Sequence, residues 1–156
     1  MDSQRRTLLK ASGSLGLMGL LASLGLFVSE QAKADWNKAA FEAKNLDSAL
    51  AALGVTNRPA DSRDIQFNAP EVAENGALVP MAVMSHIPQT RSIAILIEKN
   101  PTTLAAKFTF PEGTEPSINT RLKMDQTSRV HALVGTDGGF FVASRDITVI
   151  VGGCGA

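Results

Sequence analysis

Beyond residue 54 the chain is a succession of short β-rich runs separated by turn residues, and this pattern most restricts the folds open to it. The clearest run is 93–97, which reads Ile-Ala-Ile-Leu-Ile. Because successive side chains of a strand point to opposite faces, Ile93, Ile95 and Ile97 are predicted to face a common core. No second helical period follows residue 54, so a mainly β architecture is expected.

Seven such runs are predicted to be strands, and the segments between them carry turn residues. The predicted strands are 64–68, 78–85, 92–98, 105–110, 117–124, 128–136 and 140–151. The strand 128–136 is expected to be half exposed, with Arg129, His131 and Leu133 on its outer face. The turns are Asn75-Gly76, Asn100-Pro101, Pro111-Glu112-Gly113 and Asp137-Gly138-Gly139. About seven strands at spacings near a dozen residues predict an antiparallel β-sandwich of immunoglobulin-like type.

The segment before these strands has helical periodicity. Asp35 can cap a helix that begins at Trp36, and Gly54 supplies a left-handed stop. Asn45 or Asp47 offers a place to divide the run into two shorter helices, since either residue can cap the second. The apolar residues recur at three- and four-residue spacing and form one stripe, which predicts packing on the main core: Trp36, Ala39, Ala40, Ala43, Leu46, Leu50 and Leu53.

The first 34 residues are typical of an export signal and not of a folded domain. Arg5 and Arg6 precede apolar residues and a lysine, as in twin-arginine signals, and an uncharged apolar stretch covers 11–28. A small-x-small pattern ending at Ala34 predicts cleavage there. A membrane anchor is the alternative, because 18 residues just reach spanning length. We therefore expect residues 1–34 to be removed, leaving a periplasmic protein with no stable membrane insertion.

Residues for a conventional enzyme or metal site are sparse. His86 and His131 have no metal-ligand spacing with each other or with the cysteine, and no metal is predicted. Glu71 and Glu74 are interpreted as part of a solvated turn. The 15 basic residues balance 15 acidic ones, Tyr is absent, and Trp36 is the only tryptophan. Nucleic-acid binding is therefore not expected, since neither a basic excess nor a set of stacking residues is present.

The C-terminal tail carries the one feature that points to chemistry. Cys154 is the only cysteine, so it has no partner for an intramolecular disulfide and either pairs between chains or stays reactive. Gly152, Gly153 and Gly155 flank it, and glycine leaves the backbone free and the sulfur unshielded. About five extended residues reach at most roughly 17 Å, enough to enter the cleft of a neighbouring protein. The tail is therefore predicted to be a flexible, reactive arm.

These residues resemble the sulfur-carrier subunit Y (SoxY) of the bacterial Sox thiosulfate-oxidising system. Members of that family end in Gly-Gly-Cys-Gly-Gly, and this chain reads Gly-Gly-Cys-Gly-Ala over 152–156. The stretch 69–76, the pair Val79-Pro80 and the run 120–124 are also similar to the family. The resemblance implies a signal peptide over 1–34, a helical segment with an immunoglobulin-like sandwich over 35–151, and a carrier arm over 152–156.

The resemblance also implies a function in sulfur metabolism that is not enzymatic. Cys154 is expected to hold thiosulfate-derived intermediates covalently, with no other cofactor, while partner enzymes act on them. A c-type cytochrome pair would conjugate thiosulfate to the cysteine, a manganese-dependent hydrolase would release sulfate, and in some organisms a molybdenum sulfane dehydrogenase would oxidise the remaining sulfur. A companion subunit Z would complete a heterodimer. Ala156 departs from the family's last glycine without affecting the thiol.

One alternative of a different kind remains open. An exported structural or interaction module could use Cys154 for an intermolecular disulfide. That function predicts a covalent dimer that persists and a cysteine that carries no sulfur adduct.

Overall fold

The computed structural model describes residues 37–153, which contain two helices and nine strands. The helices are α1 (Lys38–Glu42) and α2 (Leu46–Ala52). The strands are β1 (Ala60–Asp61), β2 (Ile65–Asn68), β3 (Val72–Asn75), β4 (Val79–Ser85), β5 (Thr90–Ile97), β6 (Leu104–Thr109), β7 (Ser117–Leu122), β8 (Ser128–Thr136) and β9 (Gly139–Val151). A 3-10 turn, Gly76–Leu78, joins β3 to β4. The predicted export signal, with Arg5, Arg6 and Ala34, lies outside the described residues.

The helical run is divided where an asparagine can cap it. The side chain of Asn45 accepts a hydrogen bond from the Ser48 N–H at 2.8 Å, and this confirms the predicted division into two helices. Asn37 caps α1, and this helix begins at Lys38. The predicted start at Trp36 and its predicted cap, Asp35, lie outside the described residues. Gly54 has the predicted left-handed backbone, with φ of 85°. Within residues 37–153 neither helix is long and apolar enough to cross a membrane.

The strands form two sheets that pack as an immunoglobulin-like sandwich, which confirms the predicted fold class. The larger sheet has the order β1-β9-β8-β5-β6, with β3 also paired to β9, and the smaller one has the order β2-β4-β7. All seven predicted strands are present, within two residues of their expected bounds, and they pair antiparallel. Two strands were missed: β1 and β3, which both pair parallel to β9.

The core lies between the sheets, and a second apolar layer lies beneath the helices. Ile93, Ile95 and Ile97 are fully buried, as their alternation predicts. The outer face of the larger sheet is covered by small residues of the helical segment, including Ala40 and Ala49. The prediction that Leu133 lies on a half-exposed face was therefore wrong, because the helices reduce its exposure to 2%.

Candidate functional site

The end of β9 leads directly into the glycine tail. Beyond its pairing with β8, β9 continues to Val151 along β3, where Thr148 pairs with Val72 and Val151 pairs with Asn75. Gly152 and Gly153 follow and are partly buried. Cys154, Gly155 and Ala156 come after the last described residue, so their predicted roles stay predictions. The structure describes the surface around the end of β9, up to Gly153.

The backbone of Gly153 is packed against the turn after β3. Its N–H donates a hydrogen bond to the Met124 carbonyl at 2.9 Å, and the Met124 N–H donates to the Gly76 carbonyl at 2.8 Å. A Cβ atom on Gly153 would lie under 3.0 Å from backbone atoms of Gly76 and Ala77, and one on Gly76 would overlap the Met124 carbonyl. Glycine is therefore required at both positions because two backbones meet there. We call this contact of Gly76, Met124 and Gly153 the arm seat.

Gly152 is enclosed in the same way. A Cβ atom at this position would lie under 3.0 Å from the Asp125 carbonyl oxygen. The sequence suggested glycine at 152 and 153 for flexibility, and that role remains a prediction. The geometry adds a different reason, which is that no side chain fits between the tail and the segment formed by Met124 and Asp125.

The segment opposite the tail is held by side chains from two other places. Asn100 donates from Nδ2 to the Lys123 carbonyl at 2.8 Å and accepts from the Asp125 N–H at 3.0 Å. Thr127 Oγ1 accepts from the Val149 N–H at 3.0 Å. The side chain of Met124 is fully buried in the main core. The carbonyl that accepts the Gly153 hydrogen bond is thus fixed relative to the sandwich.

The surface around the arm seat is apolar with acidic neighbours. Within the part of the chain that the structure describes, the large hydrophobic side chains left exposed are all on β3, β9 or the turn between β3 and β4. They are Val72, Leu78, Ile150 and Val151. Glu71 and Glu74 are exposed as predicted, although Glu74 lies in β3 and not in a turn.

Gly76 and Met124 were not identified as functional residues from the sequence. Asn75-Gly76 was interpreted as a turn, and the structure contains one, since the Asn75 side chain accepts from the Ala77 N–H at 2.8 Å. The Asn-Gly pair is a common turn signal, so the glycine at 76 was assigned to the turn alone. A contact across 77 positions of sequence, from residue 76 to residue 153, leaves no further signal in a single chain.

The two histidines lie apart, and neither joins a cluster of metal ligands. His86 follows β4 of the smaller sheet, whereas His131 lies in β8 of the larger one. His131 makes hydrogen bonds to Ser144 Oγ at 2.8 Å and to Glu98 Oε1 at 2.7 Å. Among residues 37–153 no group of three or more His, Cys, Asp or Glu side chains is placed to hold a metal ion.

A groove of about 750 Å³ lies between the helical segment and the outer face of the larger sheet. Arg129 and Asp146 line it and form a bidentate ion pair, with both N–O distances 2.9 Å. The hydrogen bond from Arg129 lowers the pKa of the Asp146 carboxyl below its usual value, and the positive charge of Arg129 acts in the same direction. Both side chains are solvent-exposed, so the pair is a surface contact of modest strength.

The lowered Asp146 pKa predicts how the stability of the fold changes at acidic pH. A carboxyl with a lower pKa in the folded state stabilises the fold above its unfolded pKa, and this contribution is lost as the pH falls through the folded value. Asp146→Asn is therefore expected to lower the melting temperature modestly near pH 7, where the ion pair contributes, and to flatten its fall below about pH 4, where the variant and the wild type converge. Thermal denaturation across this pH range measures the slope. Arg129→Gln should flatten it similarly, and an unchanged slope in Asp146→Asn would contradict the pairing.

An immunoglobulin-like sandwich whose last strand leads into a glycine-flanked cysteine defines a protein class with known relatives. Residues 50–154 match the family described as sulfur oxidation protein SoxY. The structure is similar to that of the sulfur carrier protein SoxY from Chlorobium limicola f thiosulfatophilum, at 34% identity and a TM-score of 0.60, over 67% of this chain and 96% of that one. The chain belongs to the SoxY family.

Two further comparisons add no functional information. A superoxide reductase (neelaredoxin) from Ignicoccus hospitalis matches at 20% identity with a TM-score of 0.49, over 56% of this chain and 80% of that one. The curated proteins contain no significant match.

Proposed function

We propose that this protein is a periplasmic sulfur carrier that holds thiosulfate-derived intermediates on Cys154 and presents them to other enzymes. The observation that carries the proposal is the position of the only cysteine, directly after a glycine whose backbone is fixed at the edge of the sandwich. The family match supports it, since the matched region ends at Cys154.

The proposed loading step is an oxidative conjugation. The Cys154 thiol and the terminal sulfur of thiosulfate form a disulfide bond, and this releases one proton and two electrons to a c-type cytochrome pair. Water then attacks the terminal sulfonate in a manganese-dependent hydrolase. Sulfate leaves, two protons are released, and a persulfide anion remains on the cysteine. The carrier supplies only the sulfur nucleophile, which reacts as the thiolate.

The remaining elements of the proposal concern partners and location. A companion subunit Z would form a heterodimer with this chain, and a molybdenum sulfane dehydrogenase would oxidise the persulfide where the organism has one. Export by the twin-arginine route, with Arg5 and Arg6 in the signal and cleavage after Ala34, would deliver the protein to the periplasm. No resident cofactor or metal is proposed for this chain.

Intact-mass measurement of the protein from thiosulfate-grown cells tests the carrier function. We expect species heavier than the free thiol by a thiosulfate-derived group or by one or more sulfur atoms, located on Cys154 by peptide mapping. Treatment with a thiol reductant should return all of them to the free mass. A mass spectrum that contains only free thiol and a persistent Cys154-linked dimer would instead support the intermolecular-disulfide alternative and overturn the carrier function.

A further inference from the structure

We propose that the arm seat is a positioning device, in which Gly76 and the Met124 carbonyl hold Gly153 and so fix the point from which Cys154 leaves the sandwich. The inference rests on the proposed carrier function for its biological meaning. The geometry of the arm seat is independent of the carrier function, because it consists of contacts among residues that the structure describes. Gly76 and Met124 are positioning residues, since they act on the cysteine through Gly153.

The arm seat is formed by buried or partly buried residues that are joined by backbone hydrogen bonds. Gly76 and Met124 are buried, and they are joined by the hydrogen bond from the Met124 N–H to the Gly76 carbonyl. The Met124 carbonyl accepts from the Gly153 N–H at 2.9 Å. The tail is thereby connected to the turn after β3 through a fully buried residue. Asn100 fixes the segment through its hydrogen bonds to the residues on either side of Met124.

The seat has a direct consequence for the reach of the thiol. While Gly153 is seated, one peptide unit separates the seat from Cys154, which limits the reach of its Cα atom to about 3.8 Å from the seated Gly153 Cα. If Gly153 leaves the seat, residues 152–154 can extend by at most about 10 Å from Val151. Two lengths of arm are therefore available, and the seat selects the short one. A bulky reactant meets the sandwich surface when the arm is short.

Alkylation kinetics at Cys154 test the seat directly, because the chain has no other cysteine. In Gly153→Ala a methyl group would collide with the backbone of Gly76 and Ala77, so the arm should leave the seat. We expect a bulky maleimide to react about fivefold faster than with the wild type, which corresponds to about 1 kcal/mol, the scale of one hydrogen bond. Iodoacetamide, a small reagent, should be affected less. Equal acceleration of both reagents would indicate a changed thiol and overturn the proposal.

The matched variants separate the seat from general effects on folding. Gly138→Ala is the control, because a Cβ atom there has its nearest neighbour at 3.7 Å, and its alkylation rate should equal that of the wild type. Gly76→Ala disrupts the same contact from the sandwich side. It should also lower the melting temperature, because the added methyl group would collide with the Met124 carbonyl. Since both glycines serve one contact, the double variant should react no faster than Gly153→Ala alone. Multiplied rate increases would contradict a shared seat.

The outcomes distinguish this inference from the proposed function. An unchanged maleimide rate in a Gly153→Ala protein with a native melting curve would overturn the seat, even where sulfur adducts are found on Cys154. An accelerated rate without any adduct in thiosulfate-grown cells would support the seat and overturn the carrier function.

Discussion

Replacing Cys154 with serine is expected to abolish thiosulfate-dependent sulfate release by the reconstituted partner enzymes, down to the level seen without the carrier. A serine hydroxyl cannot form the sulfur–sulfur bond on which the proposed loading step depends. The thiolate is also far easier to generate than an alkoxide at neutral pH. The assay measures sulfate produced per carrier, with the melting curve of each variant as a check on folding.

A second variant tests whether any exposed thiol would serve. Ser117, at the start of β7, is exposed, so Ser117→Cys combined with Cys154→Ser places a thiol on the sandwich surface and leaves the arm without one. We expect this double variant to remain inactive, because its sulfur cannot extend into a partner's cleft. Sulfate release by Cys154→Ser at the wild-type rate would show that the arm cysteine is not the attachment site, and release by the double variant at that rate would show that an exposed thiol elsewhere can serve.

Ile95→Ala is expected to lower the free energy of unfolding by about 2–5 kcal/mol, the largest loss of stability among the substitutions proposed. Ile95 is fully buried at the centre of β5, which lies between β6 and β8 in the larger sheet. Its removal leaves a cavity between two sheets that cannot readily collapse, so the lost transfer free energy and the cavity both contribute. Urea unfolding, followed by fluorescence or circular dichroism, measures the change.

Ile150→Ala is the matched control for Ile95→Ala, since the two residues differ in burial and not in type. Ile150 is 66% exposed on β9, and its truncation should change the free energy of unfolding by no more than about 0.5 kcal/mol. If Ile150→Ala cost as much as Ile95→Ala, the assignment of the core to the inner faces of the two sheets would be wrong.

Much of this fold could be predicted from sequence because its strands obey local rules. Ile93, Ile95 and Ile97 indicate a buried face through alternation alone, and Asn45 indicates a helix start through its capping side chain. β1 and β3 could not be found in this way. Both residues of β1 are exposed, and β3 buries only Ala73, so neither has the alternation that marks a strand. Their pairing depends on β9, which is distant in sequence.

The candidate site likewise contains one feature that the local sequence reveals and one that depends on residues distant in sequence. Cys154 could be singled out because it is unique in the chain and flanked by glycines, which are properties of the sequence itself. The arm seat could not, since Gly76 belongs to a predicted turn and Gly153 to a predicted flexible tail, and the two meet only in the folded protein. Leu133 shows the same limit, because its burial depends on helices contributed by a different part of the chain.

The path of β9 also bears on how the protein withstands force. β9 has 13 residues, the most of any described strand, and it pairs with β8 before it pairs with β3 and ends at the glycine tail. Sheet hydrogen bonds run across the strands. A pull along the tail would therefore load many of them together in shear, instead of opening them one at a time. A force applied to the tail would strain the contact at Gly153 before it strained the sandwich.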